Sequence, residues 1–157
     1  MADRLTLHPL VRVGEQTSIG TDKAERHFLD FVINGESLWE AVGKHHDTVS
    51  ILCSEFLLKE TIEDVNRLLL KGKANAPNDR RSLFICSECG DLGCGAITLS
   101  VVREGDMVVW KNFAYENNYE PEIDFRQYEN VGPYQFDAAD YEKTLREGID
   151  TLKTAKS

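Results

Sequence analysis

The chain lacks long apolar runs and is poor in positive charge. No apolar stretch approaches the roughly 20 residues that a membrane-spanning helix needs, so we expect no membrane span. Lysine and arginine number 18 against 27 aspartates and glutamates, which gives a formal net charge of -9. Because phosphate groups are bound by clustered basic side chains, this balance disfavours nucleic acid and anionic membranes as partners and favours a basic protein.

The sequence also lacks the usual signals of export and of several domains. Residues 1–4 (Met-Ala-Asp-Arg) do not show the basic and then apolar opening of a signal peptide, so we expect a cytoplasmic protein. In that compartment the four cysteines are expected to be thiols or metal ligands, not disulfides. Without repeats or an evident linker, residues 1–157 are predicted to form one domain that buries a core without metal or disulfides.

Apolar periodicity predicts an α+β fold. Alternation with period two predicts strands, and apolar steps of three and four predict amphipathic helices. The predicted strands are 8–13, 26–33, 48–53, 107–113 and the two that flank a cysteine-rich turn within 81–103. The predicted helices are a short one capped by Ser37, one with an apolar stripe from Leu58 to Leu69, and a terminal one capped by Asp137. This order predicts a largely antiparallel sheet of about five or six strands with two or three helices packed on it.

The cysteine-rich turn, residues 86–95, carries the strongest chemical signal and is called the knuckle below. Its spacing is Cys86-x2-Cys89-x4-Cys94. Cys-x2-Cys followed by glycine is a bend that directs two thiolates at one ion, and structural zinc takes four tetrahedral ligands. The knuckle supplies three of these four ligands. The fourth zinc ligand is expected from one of Cys53, His45 and His46.

Two other interpretations of the knuckle stay open. Small buried cysteines pack beside glycines in a crowded turn without any metal. Alternatively, Cys86 and Cys89 form a redox dithiol, and a thiol oxidoreductase is the enzymatic alternative. A redox pair normally lies at a helix N-terminus, which lowers the thiol pKa. Here a strand follows, and nearby carboxylates such as Glu88 raise a thiol pKa, so the redox interpretation is disfavoured.

The second feature is an acidic and aromatic segment, 115–134. It contains five carboxylates and a single basic residue, Arg126. Rings offer contact area at a small entropic cost, and carboxylates pair with the Arg or Lys of a basic partner. The alternative is that the rings anchor a long loop onto the sheet. The predicted partner-binding residues are Tyr115, Glu116, Tyr119, Glu120, Glu122, Asp124, Tyr128 and Glu129.

The motif Cys-Ser-Glu-Cys-Gly-Asp-Leu-Gly-Cys-Gly-Ala at 86–96, with 109–119 (Val-Trp-Lys-Asn-Phe-Ala-Tyr-Glu-Asn-Asn-Tyr), resembles a group of bacterial proteins sometimes labelled oxidoreductases. The resemblance covers about two-thirds of the chain and implies one domain in a bacterial cytoplasm, with no catalytic residue. It also implies that the position of Cys53 is not a cysteine in that group. In size and acidity the chain is similar, by type only, to the immunity proteins of contact-dependent growth inhibition systems.

These observations predict a non-enzymatic, acidic, cytoplasmic binding protein with a basic protein partner. In its most concrete form it is an immunity protein that binds and neutralises a basic, nuclease-type bacterial toxin. The alternative is a zinc-binding or thiol-redox protein that uses the knuckle. The metal ligands would then be Cys86, Cys89, Cys94 and Cys53. No cofactor other than zinc is expected.

Overall fold

The computed structural model describes residues 2–14, 23–90, 94–117 and 124–156, and these ranges form an α+β fold. The strands are β1 (Leu5–Arg12), β2 (Arg26–Ile33), β3 (Glu36–Ser37), β4 (Thr48–Ser50), β5 (Arg81–Cys86), β6 (Ala96–Glu104), β7 (Met107–Glu116) and β8 (Tyr134–Asp137). The longer helices are α1 (Leu58–Leu68) and α2 (Ala138–Lys156). A π-helical turn, Trp39–Gly43, and a 3-10 turn, Lys44–His46, precede β4.

The predicted fold class is confirmed, and the strands divide between two sheets. In the described ranges, β1-β2-β3 form one antiparallel sheet and β4-β5-β6-β7-β8 form the other. Both sheets follow chain order: short turns join β2 to β3 and β6 to β7, whereas α1 lies between β4 and β5. None of the helices described here combines the length and apolar character that crossing a membrane requires.

Most element boundaries agree with the apolar pattern. The strand predicted over 26–33 coincides with β2. The predicted cap of the terminal helix is confirmed, because the Asp140 amide donates to Asp137 Oδ2 at 3.1 Å. The strand predicted over 48–53 ends at Ser50, and β8 was not predicted. Four residues are too few for alternation to stand out, and β8 forms by pairing with the start of β7.

An aromatic cluster joins the two sheets and the two long helices. The fully buried indole of Trp110 donates to the Tyr141 hydroxyl at 3.0 Å, and that hydroxyl donates to the Leu68 carbonyl at 2.6 Å. The Phe31 ring meets the Trp110 ring edge-on, with centroids 5.5 Å apart. These contacts connect β7, α2, α1 and β2, and they satisfy both buried polar atoms of the aromatic pair.

The knuckle closes the hairpin of β5 and β6 at one end of the larger sheet. Ile85 pairs with Ala96 in that hairpin, so the knuckle begins directly at the end of the ladder. On the other side of β5, Thr48 pairs with Cys86, which places the start of β4 beside the first cysteine. The larger sheet therefore positions the knuckle, because β5 and β6 stay paired up to its edge.

Candidate metal centre

The three cysteines of the knuckle converge. Cys86 is the last residue of β5, Cys89 lies in the turn after it, and Cys94 lies two residues before β6. Their Sγ atoms all lie within 4.8 Å of one another. The Cys86 side chain is half-buried, whereas those of Cys89 and Cys94 are exposed. Residues 91–93 lie outside the described residues.

This spacing fits a small tetrahedral ion. Zinc–sulfur bonds of about 2.3 Å place the sulfurs of a regular tetrahedron about 3.8 Å apart. Sulfurs held within 4.8 Å of one another therefore need to move by roughly an ångström or less to bind one ion. None of these three described cysteines forms a disulfide. The arrangement is compatible with binding of a metal ion by three thiolates.

Backbone hydrogen bonds shape the knuckle before any ion is considered. The Gly90 amide donates to the Cys86 carbonyl at 2.9 Å, which closes the turn over the first two cysteines. Gly90 has a φ of +67°, a value that a residue with a side chain adopts at a cost. On the flank, the Ser87 amide donates to the Asp47 carbonyl at 3.3 Å. These backbone hydrogen bonds therefore set the geometry of the turn without a metal ion.

Two arginines of the smaller sheet hold the knuckle from the other side. Arg26 Nε donates to the Ser87 carbonyl at 2.7 Å. The buried Arg12 guanidinium donates to Glu88 Oε1 and to Asp47 Oδ2, both at 2.8 Å. Burial lowers the Arg12 pKa, but the hydrogen bonds and charges of Asp47 and Glu88 outweigh it and raise the pKa. Glu88, predicted to raise a thiol pKa, is therefore engaged in an ion pair.

Cys53 does not join the cluster, which corrects the four-cysteine ligand set expected from the sequence. It pairs with Phe28 of β2 in an isolated bridge and is fully buried against Phe28 and Val49. Burial is the largest cause that raises the pKa of its thiol, to about 11. The thiol donates to Glu55 Oε1 at 3.6 Å. The physical reason is that β4 ends early and the chain turns toward the smaller sheet.

The histidines are not part of the thiol cluster either. In the part of the chain that the structure describes, the group within mutual ligand distance contains the three knuckle cysteines alone, without His45 or His46. The His46 ring stacks on the Tyr115 ring with centroids 3.7 Å apart. That tyrosine in turn lies over Gly95, where a Cβ atom would stand 2.5 Å from the hydroxyl. The stack packs beside the knuckle and supports its return strand.

The acidic and aromatic segment is partly internal. Tyr119, Glu120 and Glu122 lie outside the described residues. Tyr128 is buried and Tyr115 is half-buried, so both rings pack into the fold as loop anchors do.

The carboxylates of this segment fall into two groups. Glu116 is buried, accepts from the Thr98 hydroxyl at 2.5 Å and lies 3.5 Å from Arg80 Nε. Asp124 is half-exposed, and the backbone amide of Arg126 is the first cause that lowers its pKa. Glu129 is exposed. Of the predicted partner-binding carboxylates, Glu116 is therefore an internal ion-pairing group, whereas Glu129 is open to solvent.

A cleft beside the knuckle was not anticipated from the sequence. It encloses about 550 Å³ between the knuckle and α1, and we call it the α1 cleft. Its lining residues are Cys89, Gly90, Glu60, Glu63, Asp64, Arg67 and Asn75. Helical spacing places the α1 carboxylates on neighbouring turns, but nothing in the sequence indicates that this face lies opposite a cysteine.

The best-buried carboxyl of the α1 cleft is Asp64. Burial is the largest cause that raises its pKa, to about 6, and outweighs the charge and hydrogen bond of Arg67 at 2.6 Å. An acid with a pKa raised by burial in a cleft is a typical property of functional sites. It marks this side of the knuckle as chemically distinct.

Comparison of the chain with protein-family models finds no match, and comparisons with curated proteins and with solved structures find none either. Function is therefore argued from the geometry above.

Proposed function

We propose that this protein binds one Zn²⁺ ion through the thiolates of Cys86, Cys89 and Cys94. The observation that carries the proposal is the convergence of their Sγ atoms within 4.8 Å. Soft thiolate ligands favour zinc over harder divalent cations such as Mg²⁺ and Ca²⁺. The thiolate is the form of cysteine that binds zinc, so metal binding displaces the thiol protons.

The packing interpretation explains Cys53 better than it explains the knuckle. A cysteine that serves as a small apolar residue is buried, as Cys53 is. Cys89 and Cys94 are exposed and gain little from packing. Their proximity to Cys86 is then best accounted for by a shared ligand.

The redox interpretation lacks the feature that activates a dithiol. Residues 87–89 form a turn after β5, without the helix N-terminus that lowers a thiol pKa in redox pairs. The third thiol, Cys94, is also superfluous to a two-cysteine exchange reaction but is required by a metal site.

Elemental analysis of the purified protein tests the proposal. We expect about one equivalent of zinc per chain for a filled site. Cys86→Ser, Cys89→Ser and Cys94→Ser should each lower the zinc content severalfold, because a hydroxyl is a poor substitute for a thiolate. Cys53→Ser is the matched control and should retain the metal, since that thiol lies outside the cluster.

A second measurement separates metal binding from folding. The aromatic cluster and the arginine contacts hold the fold without metal, so a strong chelator should remove the zinc while the circular dichroism spectrum stays that of a folded protein. Two results together would refute the site. The protein would contain no zinc after growth in zinc-supplemented medium, and its thiols would react with a thiol reagent at the same rate before and after zinc is added. A rate of thiol–disulfide exchange that falls to background in Cys86→Ser would favour the redox alternative instead.

A further inference from the structure

Within the described residues, the three thiolates supply three of the four ligands that zinc takes and leave one coordination position open. Zinc takes four ligands in a structural site, whereas sites that act on other molecules keep one position for an exchangeable ligand. Among the described residues, no fourth histidine, cysteine or carboxylate joins the three thiols. The exposure of Cys89 and Cys94 gives solvent molecules access to the ion that these residues would hold.

The α1 cleft gives that open position a defined approach. Cys89 lines this cleft together with the acidic side of α1. The ion would therefore be reached from a concave surface of about 550 Å³, large enough for a small organic molecule.

The charge of the cleft selects the sign of the incoming molecule. A Zn²⁺ ion with three thiolates has a formal charge of about -1. Glu60 and Glu63 are exposed in the same cleft, Asp64 lies behind them, and Arg67 is the basic lining residue. Clefts lined by one sign of charge concentrate ligands of the opposite sign. A cationic molecule is favoured here, and an anionic one is disfavoured.

We infer that an exogenous thiol carried on a small cationic molecule enters through the α1 cleft and binds at the open position as a thiolate, releasing its proton to solvent. This inference rests on the proposed metal site. Sulfur is the donor that a soft thiolate-bound metal accepts most readily, and the carboxylates of α1 pair with the cationic end. The chain would then recognise cationic thiols as a chemical class.

The test uses full-length protein loaded with Co²⁺, whose visible absorption bands report the ligands of a zinc site. Three thiols with the same two-carbon chain are titrated: thiocholine with a positive charge, 2-mercaptoethanol without charge, and 2-mercaptoethanesulfonate with a negative charge, of which the two charged thiols are matched in size. None of them is a strong chelator. For each protein, the affinity for thiocholine is divided by the affinity for 2-mercaptoethanesulfonate. The three thiols differ in intrinsic acidity, so the decisive quantity is this ratio in the wild type compared with the same ratio in a cleft variant.

The cleft variant is Glu60→Gln/Glu63→Gln, which removes two exposed charges and leaves the more buried Asp64 and its ion pair intact. We expect all three thiols to shift the bands, and the affinity ratio to fall by about tenfold in this variant. The matched control Glu104→Gln/Glu147→Gln removes two exposed charges elsewhere and should keep the wild-type ratio.

The outcomes separate the inference from the proposal beneath it. Cobalt bands that no thiol shifts would show a fourth protein ligand and overturn the inference, while the metal site stands. Loss of cobalt to the thiols, detected after desalting, would overturn it as well, because no ternary complex forms. An unchanged affinity ratio in the cleft variant would overturn the charge selection. Failure to bind cobalt or zinc at all would refute the metal site itself.

Discussion

The buried guanidinium of Arg12 donates to Glu88 at 2.8 Å, across 76 positions of the sequence. It joins the first strand of the smaller sheet to the knuckle that closes a hairpin of the larger one. The same side chain donates to Asp47, beside the other flank of the knuckle. The orientation of the knuckle cysteines therefore depends on contacts between the two sheets as well as on the hairpin.

Arg12→Gln should weaken zinc binding. Loss of an orienting contact behind a metal ligand costs about 10- to 100-fold in metal affinity, and we expect the lower end because Arg26 still holds Ser87. The free energy of unfolding should fall by about 1–3 kcal/mol. Competition with a chromophoric chelator measures the affinity. Arg103→Gln, at an exposed position, is the control, and an equal zinc affinity in wild type and Arg12→Gln would contradict the positioning role.

Gly95→Ala should strain the return from the knuckle into β6. Gly95 has a φ of +140°, and an added Cβ would stand 2.5 Å from the Tyr115 hydroxyl oxygen. We expect the free energy of unfolding to fall by about 1–3 kcal/mol, measured by urea denaturation. The cost should be smaller in a Tyr115→Phe background, where the nearest oxygen is absent. Equal costs in both backgrounds would assign the effect to the backbone conformation alone.

Asp64 should make stability fall as pH rises. Its pKa is raised from the ordinary 3.8 to about 6 in the folded protein, so the folded state binds this proton more tightly than the unfolded state does. The stabilisation is complete below pH 3.8 and is lost as pH rises through about 6. A free energy on the order of 3 kcal/mol is involved.

The measurement is urea denaturation of the metal-free protein from pH 4 to 7.5, compared with Asp64→Asn. The difference between the two free energies of unfolding isolates this carboxyl, because other titrating groups are common to both proteins. This difference should change with pH, and the midpoint of the change should lie between the folded-state and unfolded-state pKa values of Asp64. A difference independent of pH would show that the folded and unfolded pKa values are alike.

The prediction of a basic protein partner stays a prediction, and its test is charge reversal. Glu120→Lys/Glu122→Lys/Asp124→Lys should abolish capture of such a partner in a pull-down from the cells that naturally make the protein without unfolding the domain, because interface carboxylates steer and pair with basic side chains. Glu116 is left unchanged, since it pairs internally with Arg80. An identical set of captured proteins with wild type and variant would exclude this segment as the docking surface.

The local sequence pattern was sufficient to predict features that depend only on residues close together in the chain. The alternation of 26–33, the Asp137 cap and the Cys86-x2-Cys89 bend are such features. Cys53 shows where this reasoning ends. Its strand looks continuous in the sequence, yet the ladder with β5 stops at Ser50 and the cysteine pairs with β2. Whether a residue belongs to one sheet or the other depends on partners that are distant in the chain.

The sequence by itself determined the α+β class and brought three cysteines into one turn, because short-range spacing and turn chemistry act within a few residues. Only the tertiary structure decided that Cys53 stays apart, that Glu116 is internal, and that the acidic face of α1 lies against Cys89. The reason is physical. Burial and the juxtaposition of helix and turn result from packing between elements, which the spacing of residues along one element does not specify.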